Sequence, residues 1–180
     1  MAQVIKKIQT MKQQKITIYF LILLSGFVFS AFSQVLLPEV VVPSKRYKYL
    51  LAVDNKELGE PIKILEYNAA AFDVKSSAFY EDEYDEYFIS FYLPNGYILA
   101  TYDKDGKLLR TAERYQNVAL PSAVSKSLIQ AYPDWSVPKD VYLVNYEEQK
   151  GSTKIWKLVL TKEDKRIRVK LNERGEFIGK

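Results

Sequence analysis

The 180-residue chain contains no histidine and no cysteine. Histidine is the usual general base near neutral pH and the usual activator of a serine or cysteine nucleophile, so most hydrolytic and group-transfer chemistry is excluded. An adenylyltransferase of the His-x-Gly-His class is excluded for the same reason. Without cysteine the chain can form no disulfide and carry no acylated-cysteine lipid anchor, so packing must stabilise the fold. We therefore expect a protein that is not an enzyme and that binds no cofactor.

Glycine is also scarce, and the seven glycines are scattered at turns rather than gathered in a phosphate-binding loop. A pair of carboxylates could still serve a glycosidase, but the carboxylates here lie at turns and in one exposed run. The segment Asp103-Lys-Asp105-Gly106 is similar to the start of a calcium loop, which needs further oxygen ligands and a final glutamate. Strand-forming residues follow Gly106 at once, so we interpret the segment as a β-turn and expect no metal site.

The chain has one long apolar run, from Ile16 to Phe32, which follows a head with four lysines and ends at Ser33. A positive head, an apolar middle and small residues before the cleavage point are typical of a secretory signal. We expect residues 1–33 to be a signal peptide cut after Ser33, with Met1 or Met11 as the true start. An uncleaved anchor is the alternative, because the run is at the short end of the membrane-spanning range. The mature chain would be periplasmic or secreted, with no stable membrane span.

Without this leader, the chain would have no net charge. The whole chain has 26 basic and 22 acidic residues, and the only charges of the leader are its four lysines, which leaves 22 of each sign. Binding to nucleic acid by counterion release needs a net or clustered positive surface. We therefore expect no nucleic-acid partner.

One stretch of sequence is repeated. The segment Tyr97–Leu109 resembles Arg166–Ile178: an alternating strand runs into Asp/Asn-x-x-Gly, and a second apolar strand follows. Gly106 and Gly175 occupy the same place in the two copies and supply the positive φ that a tight hairpin turn requires. The repeat predicts one structural unit used twice.

Each unit is predicted to be a helix followed by an antiparallel meander. Apolar residues at helical spacing mark both helices, over residues 57–72 and 120–132. The first stripe is Leu58, Ile62, Leu65, Ala69 and Phe72, and the second is Leu120, Val124, Leu128 and Ala131. An Asn95-Gly96 pair between two β-prone runs predicts the first hairpin, while residues 47–53 are ambiguous between strand and helix.

The predicted fold is α+β, with tandem helix-plus-meander units whose helices pack on one face of the sheet. We expect an extended segment over residues 34–46, which contains two prolines, a first unit over 47–117 and a second over 118–180. The strands are expected over residues 87–93, 97–103, 107–116, 139–146, 154–161 and 166–171, with a short one over 176–178.

Strand alternation gives the candidate binding residues. If Ile167, Val169 and Leu171 face the core, Arg166, Arg168 and Lys170 face outward, and Lys157 on the preceding strand can join them. In the first unit the same argument turns Tyr97 and Leu99 outward, and Phe88 and Tyr92 can share that face. Tyrosine and arginine are the residues that anchor protein interfaces. The predicted protein-binding residues are Tyr92, Tyr97, Leu99, Lys157, Arg166, Arg168 and Lys170.

An acidic run, Glu81–Glu86, offers an alternative site. Five carboxylates around one tyrosine could bind a cation, a small ligand or a basic partner. The competing interpretation is a solvated loop that keeps a strand edge from pairing with another chain.

Four segments together resemble the PepSY-like family of small exported bacterial proteins, also described as β-lactamase-inhibitor-like. These segments are Leu120–Leu128, Ala131–Trp135, Val141–Tyr146 and Lys154–Leu160, and Tyr102–Leu109 fits the same pattern. The resemblance runs from about Tyr47 to Ile178. It implies a helix-on-antiparallel-sheet fold, often in tandem, and a binding or inhibitory role toward an envelope protein such as a peptidase or β-lactamase. It carries over no catalytic residues and does not identify the partner.

Overall fold

A computed structural model describes residues 44–179, which fall within one compact unit, Val40–Lys180. The expected signal peptide and most of the segment 34–46 lie outside the described residues. In chain order the elements are α1 (Ser44–Val53), α2 (Glu60–Ala71), β1 (Glu86–Leu93), β2 (Gly96–Asp103), β3 (Leu108–Gln116), α3 (Ser122–Ala131), β4 (Ser136–Glu147), β5 (Gly151–Lys162) and β6 (Lys165–Asn172). The ambiguous stretch 47–53 is therefore helical, and α1 begins inside the segment that was expected to be extended.

The six strands form one sheet in the order β1-β2-β3-β4-β5-β6, and every neighbouring pair is antiparallel. The α+β class is thereby confirmed. Strands β3 and β4 pair directly although α3 lies between them in the chain, so the strands of the two expected units form one continuous sheet. At the C-terminus, the expected strand 176–178 is reduced to one bridge between Leu171 and Phe177.

Two turns of the sheet have the same hydrogen bonds. In the β2–β3 turn, the Asp103 side chain accepts the backbone N–H groups of Asp105 and Lys107, at 2.9 and 2.8 Å. After β6, the Asn172 side chain accepts the N–H groups of Arg174 and Glu176, both at 3.0 Å. Gly106 and Gly175 have φ values of 74° and 78°. The predicted positive φ is confirmed at both glycines.

The predicted hairpin at Asn95-Gly96 is confirmed, but its glycine has a different role. Leu93 pairs with Gly96, so the two-residue loop consists of Pro94 and Asn95. A Cβ at Gly96 would lie 2.4 Å from Cδ1 of Tyr115 and 2.9 Å from the Arg114 carbonyl oxygen. Close approach of the neighbouring strand therefore requires a glycine here.

Most of the predicted helical stripes are buried. In the first stripe, Leu58, Ile62, Leu65 and Ala69 are buried, and Phe72 packs against the core. In the second stripe, Val124 and Leu128 are buried. The prediction for Ala131 is wrong: it is exposed, because α3 ends there and Tyr132 packs against the core in its place.

The core contains residues of all three helices and alternate residues of the strands. Tyr49, Ile62 and Val124 belong to the same hydrophobic cluster as Ile98 and Trp156. A row of aromatic rings crosses the sheet within it: the Tyr115 and Tyr142 ring centroids lie 6.1 Å apart, and those of Tyr142 and Trp156 lie 4.5 Å apart. Trp156 is fully buried, as its alternation with Leu158 and Leu160 predicts.

Candidate functional site

The face of the sheet that points away from the core is called here the outer sheet face. It carries the strand residues that alternate with core residues such as Ile98, Ala100 and Tyr102. Large side chains on it are open to solvent, with exposed fractions of 72% for Phe88, 69% for Tyr92 and 45% for Leu99. By the strand register, all seven predicted binding residues lie on this face: Tyr92, Tyr97, Leu99, Lys157, Arg166, Arg168 and Lys170.

One end of the outer sheet face holds a group of positive charges, called here the cationic cleft. The cleft has a volume of about 380 Å³. Its cations are Arg114, Lys139, Lys157, Arg166, Arg168 and Lys170, and they come from four adjacent strands, β3 to β6. Val141 and Val159 lie between them and are buried. The structure therefore brings the four predicted cations together around an apolar floor, which the long stems of lysine and arginine are suited to cover.

The cations of the cleft have no carboxylate partner among residues 44–179. The ion pairs of the described residues, with nitrogen and oxygen within 4.0 Å, all involve other lysines and Arg110. Lys157 and Lys170 also lie directly opposite each other on β5 and β6. Like charges in this position destabilise a sheet. The folded protein thus contains positive charges that repel one another, and this repulsion lowers its stability.

The other end of the outer sheet face is aromatic. The Tyr92 and Tyr97 rings face each other across β1 and β2 with their centroids 6.4 Å apart, and Leu99 lies opposite Ser90. Strand β2 is three strand spacings from β5, or about 14 Å. The predicted residues therefore form two clusters on one face and not a single contact group.

A shallow groove lies beside Leu99 on the outer sheet face. It has a volume of about 460 Å³, and its lining includes Leu99, Ala112, Asn145 and Thr153. The groove shares no lining residue with the cationic cleft, so the two are separate depressions on the outer sheet face.

Sequence reasoning missed two cations of the cleft, Arg114 and Lys139. On strand β3 the core-facing positions are not all apolar: the buried residue at one of them is Glu113, while the arginines of the strand face outward. Lys139 was expected to be the first residue of a strand over 139–146, whereas β4 begins at Ser136. Alternation with the buried Thr111 and Tyr115 could have identified Arg114, whereas no local signal identifies Lys139.

A second cluster of ionisable groups lies inside the core. Glu113 accepts hydrogen bonds from the hydroxyl groups of Tyr49 at 2.8 Å, Thr111 at 2.7 Å and Tyr115 at 2.8 Å. Burial raises the pKa of Glu113, and these hydrogen bonds oppose the shift. Burial, followed by the nearby charge of Glu113, raises the pKa of Glu66 to about 8.

A buried carboxyl with a raised pKa can mark a catalytic acid. Glu66 lines a cleft of about 280 Å³ together with Tyr47, Asp54 and Lys63. Its Oε1 atom, however, is inaccessible and accepts no hydrogen bond from any residue that the structure describes. A ligand in that cleft could not reach this oxygen, so we interpret the buried cluster as part of the folded core.

The acidic run forms an exposed loop that leads into β1. Asp82 accepts a hydrogen bond from the Tyr80 hydroxyl at 2.8 Å, and Glu86 forms an ion pair with Arg110 at 2.7 Å. Across the part of the chain that the structure describes, no three acidic side chains are grouped so that they could hold a metal ion. The geometry therefore gives the cation-binding alternative no support.

None of the described helices, α1 to α3, has the length and apolar character needed to cross a membrane. Comparison of the chain with protein-family models, curated proteins and solved structures gave no match. The resemblance to PepSY-like proteins therefore stays a prediction from the sequence.

Proposed function

We propose that the protein is an exported, non-catalytic binding module that holds an envelope protein against its outer sheet face. The observation that carries this proposal is the cationic cleft, where six positive side chains have no carboxylate partner among the described residues. Opposed lysines without counterions weaken the free protein. A partner that supplies carboxylates would remove this repulsion on binding.

The chemistry of the face indicates what such a partner presents. An acidic segment would pair with Lys157, Arg168 and Lys170 and would cover Val141 and Val159 at the floor of the cleft. Charge-assisted hydrogen bonds to arginine are among the stronger polar contacts in interfaces. The exposed rings of Phe88 and Tyr92 would provide apolar contact area at the other end.

The repeated turns support a duplicated scaffold of the kind that the PepSY-like resemblance implies. Asp103 and Asn172 make the same side-chain bonds, and helix α2 precedes β1–β3 as α3 precedes β4–β6. We infer tandem helix-plus-meander units with their helices on the core side of the sheet. On the same resemblance, a peptidase or a β-lactamase is the partner class to examine first.

The proposal is tested by removing charge from the cleft. The variant Lys157→Ala/Arg168→Ala/Lys170→Ala lowers the charge by three units at exposed positions. The matched control is Lys56→Ala/Lys126→Ala/Lys150→Ala, which makes the same change in net charge at exposed positions outside the cleft. Crosslinking in the native host, followed by mass spectrometry, identifies the partner, and titration calorimetry with the purified partner measures its affinity.

We expect the cleft variant to bind the partner at least about tenfold more weakly, while the control binds like the wild type. The affinity of the wild type should fall as salt is added, and that of the cleft variant should depend less on salt. Equal affinity of all three proteins would exclude the cleft as the binding surface.

A further inference from the structure

Strand β1 is an edge of the sheet, and among residues 44–179 no strand pairs with its outer side. Leu93 and Gly96 close the hairpin, and the N–H of Lys104 donates to the carbonyl of Asp85, so the odd-numbered residues of β1 bond to β2. The N–H and C=O groups of Phe88, Ser90 and Tyr92 therefore point away from the sheet. None of them forms a hydrogen bond with any other residue between 44 and 179.

The acidic run Glu81–Glu86 precedes this edge, but between Tyr87 and Leu93 the described residues provide none of the features that usually prevent strands from pairing. Charged side chains, prolines, bulges and covering segments protect exposed edges in soluble proteins. The opposite edge, β6, has them: it carries Arg166 and Arg168, and the N–H of Ile178 donates to the carbonyl of Lys170 at 2.9 Å. By contrast, Tyr87–Leu93 is uncharged, rich in aromatic residues and free of proline. The β1 edge is thus a template for an added strand.

We propose that two copies of this chain pair antiparallel through β1, about a two-fold axis at Ser90. In this register Ser90 lies opposite Ser90 of the second copy, and Phe88 lies opposite Tyr92 of the second copy. All of these residues have outward-pointing backbone groups, so each matched pair can exchange two hydrogen bonds. The result is one twelve-stranded sheet in which each copy contributes six strands.

The side chains favour a second copy over an unrelated strand. On the outer sheet face, Phe88 and Tyr92 would form two symmetric aromatic pairs, each next to the Tyr97 ring that already contacts Tyr92. On the opposite face, the half-buried Ile89 would meet the half-buried Phe91 of the second copy. The only charge on the strand, Glu86, is at its end and is neutralised by Arg110. The pairing therefore covers the most exposed rings and opposes no like charges.

The dimer leaves both cationic clefts open, but it uses the Phe88 and Tyr92 rings, which would then not be available to a partner. The two cationic clefts would lie near opposite ends of the joined sheet, roughly 40 Å apart at about 4.8 Å per strand. The contact is confined to one strand from each copy, which is small for a stable interface. The dimer should therefore dissociate on dilution, independently of whether the clefts bind an acidic partner.

The absence of cysteine from the chain permits a direct test. In the proposed register the two Ser90 Cα atoms are about 5.5 Å apart, which suits a disulfide. Two Phe88 Cα atoms would be more than about 12 Å apart, given a rise of about 3.3 Å per residue. We expect the exported, purified Ser90→Cys protein to form a covalent dimer under mild oxidation, and the matched Phe88→Cys protein to remain largely monomeric.

Charge variants test the register by a second route. Phe88→Lys/Tyr92→Lys places lysine opposite lysine, whereas Phe88→Lys/Tyr92→Glu places lysine opposite glutamate at both symmetric pairs. We expect the first variant to dimerise at least about tenfold more weakly than the second in analytical ultracentrifugation. The backbone amides of Phe88, Ser90 and Tyr92 in the wild type should lose hydrogen-exchange protection on dilution.

Three results would overturn the proposal. A wild-type protein that stays monomeric at high concentration, with unprotected edge amides, would show that the edge remains open. Edge amides that are protected equally at all concentrations would show that another part of the same chain covers the edge. Equal crosslinking of Ser90→Cys and Phe88→Cys would show random collision in place of a defined register.

Discussion

At the scale of single residues, Glu66 and Glu113 set the behaviour of the core. Both side chains are almost fully buried, at 4% and 3% exposure, and the charge of Glu113 adds to the desolvation of Glu66. Lys154, whose ammonium group also donates to the Asp54 carbonyl at 3.0 Å, opposes that shift. A buried carboxyl without a full set of partners is stable only in its neutral form.

This gives a prediction for the pH dependence of stability. The folded-state pKa of Glu66, about 8, lies above its ordinary value of 4.5, so between these pH values the folded state holds a proton that the unfolded state has lost. The free energy of unfolding should therefore fall as pH rises from 4.5 to 8, by up to a few kcal/mol at about 1.4 kcal/mol per pKa unit.

The substitution Glu66→Gln should remove most of this dependence. We expect the variant to be more stable than the wild type at pH 8.5 and similar to it at pH 5, measured by urea denaturation. Glu60→Gln, on the exposed start of the same helix, is the control and should leave the slope unchanged. A wild-type stability that is constant from pH 5 to 8.5 would contradict the burial of an ionisable Glu66.

At the scale of elements, the turns that end β-strands show two separate reasons for a glycine. Gly151 has a φ of 83°, and a Cβ at this position would have no described atom within 4 Å. Only its backbone conformation therefore favours glycine. Gly175 has a φ of 78°, and its Cβ would also lie 2.5 Å from the Ala123 carbonyl oxygen of α3. The turn after β6 is therefore packed against a helix at its glycine, whereas Gly151 in the β4–β5 turn has open space around it.

Comparing Gly151→Ala with Gly175→Ala separates these two effects. We expect Gly151→Ala to lower the free energy of unfolding by about 1 kcal/mol, from the strain of positive φ. Gly175→Ala should lower it by at least about 2 kcal/mol, since the turn must also move away from α3. Thermal or urea unfolding of the two purified variants measures the difference, and equal losses would show that the turn is not held against the helix.

The same elements show which features of the fold can be predicted from local sequence patterns. Helical spacing predicted α2 and α3, and alternation predicted the outward direction of Arg166 and Arg168, because each pattern depends on a few neighbouring residues. The end of α3 at Ala131 and the close approach of Tyr115 to Gly96 depend on tertiary packing, which neither pattern contains. The pairing of β3 with β4 likewise joins residues on both sides of a helix, so the single sheet could not be read from either unit.

At the scale of the whole molecule, the distribution of charge matters more than its total. Residues 34–180 contain equal numbers of acidic and basic residues, yet the fold gathers six cations in one cleft and leaves the acidic run Glu81–Glu86 at the start of β1. Composition could not predict this separation. The candidate cations on β5 and β6 could be predicted, whereas the contributions of Arg114 and Lys139 emerge only from the assembled sheet.

The clustering of positive charges in the cleft predicts that the cleft lowers the stability of the free protein. Replacing Lys157 and Lys170, which lie opposite each other, by glutamine should raise the free energy of unfolding by up to about 1 kcal/mol at low salt. The gain should diminish as sodium chloride screens the repulsion. Urea denaturation at 20 mM and 500 mM salt tests this, with Lys56→Gln/Lys126→Gln as the control. A loss of stability in the cleft variant at low salt would contradict the proposed repulsion.

Helix α1 has one more consequence, for the order in which the chain can fold. Three hydrogen bonds at this helix join residues one hundred positions apart: Lys48 donates to the Glu148 carbonyl, Ser152 donates to the Ala52 carbonyl, and Lys154 donates to the carbonyl of Asp54, the residue after the helix. Contacts of such long sequence separation slow folding, because a large loop must close before they form. A nascent chain that ends before β5 therefore lacks the bonds from Ser152 and Lys154 to the end of this helix, and completion of the core must wait for nearly the last strand.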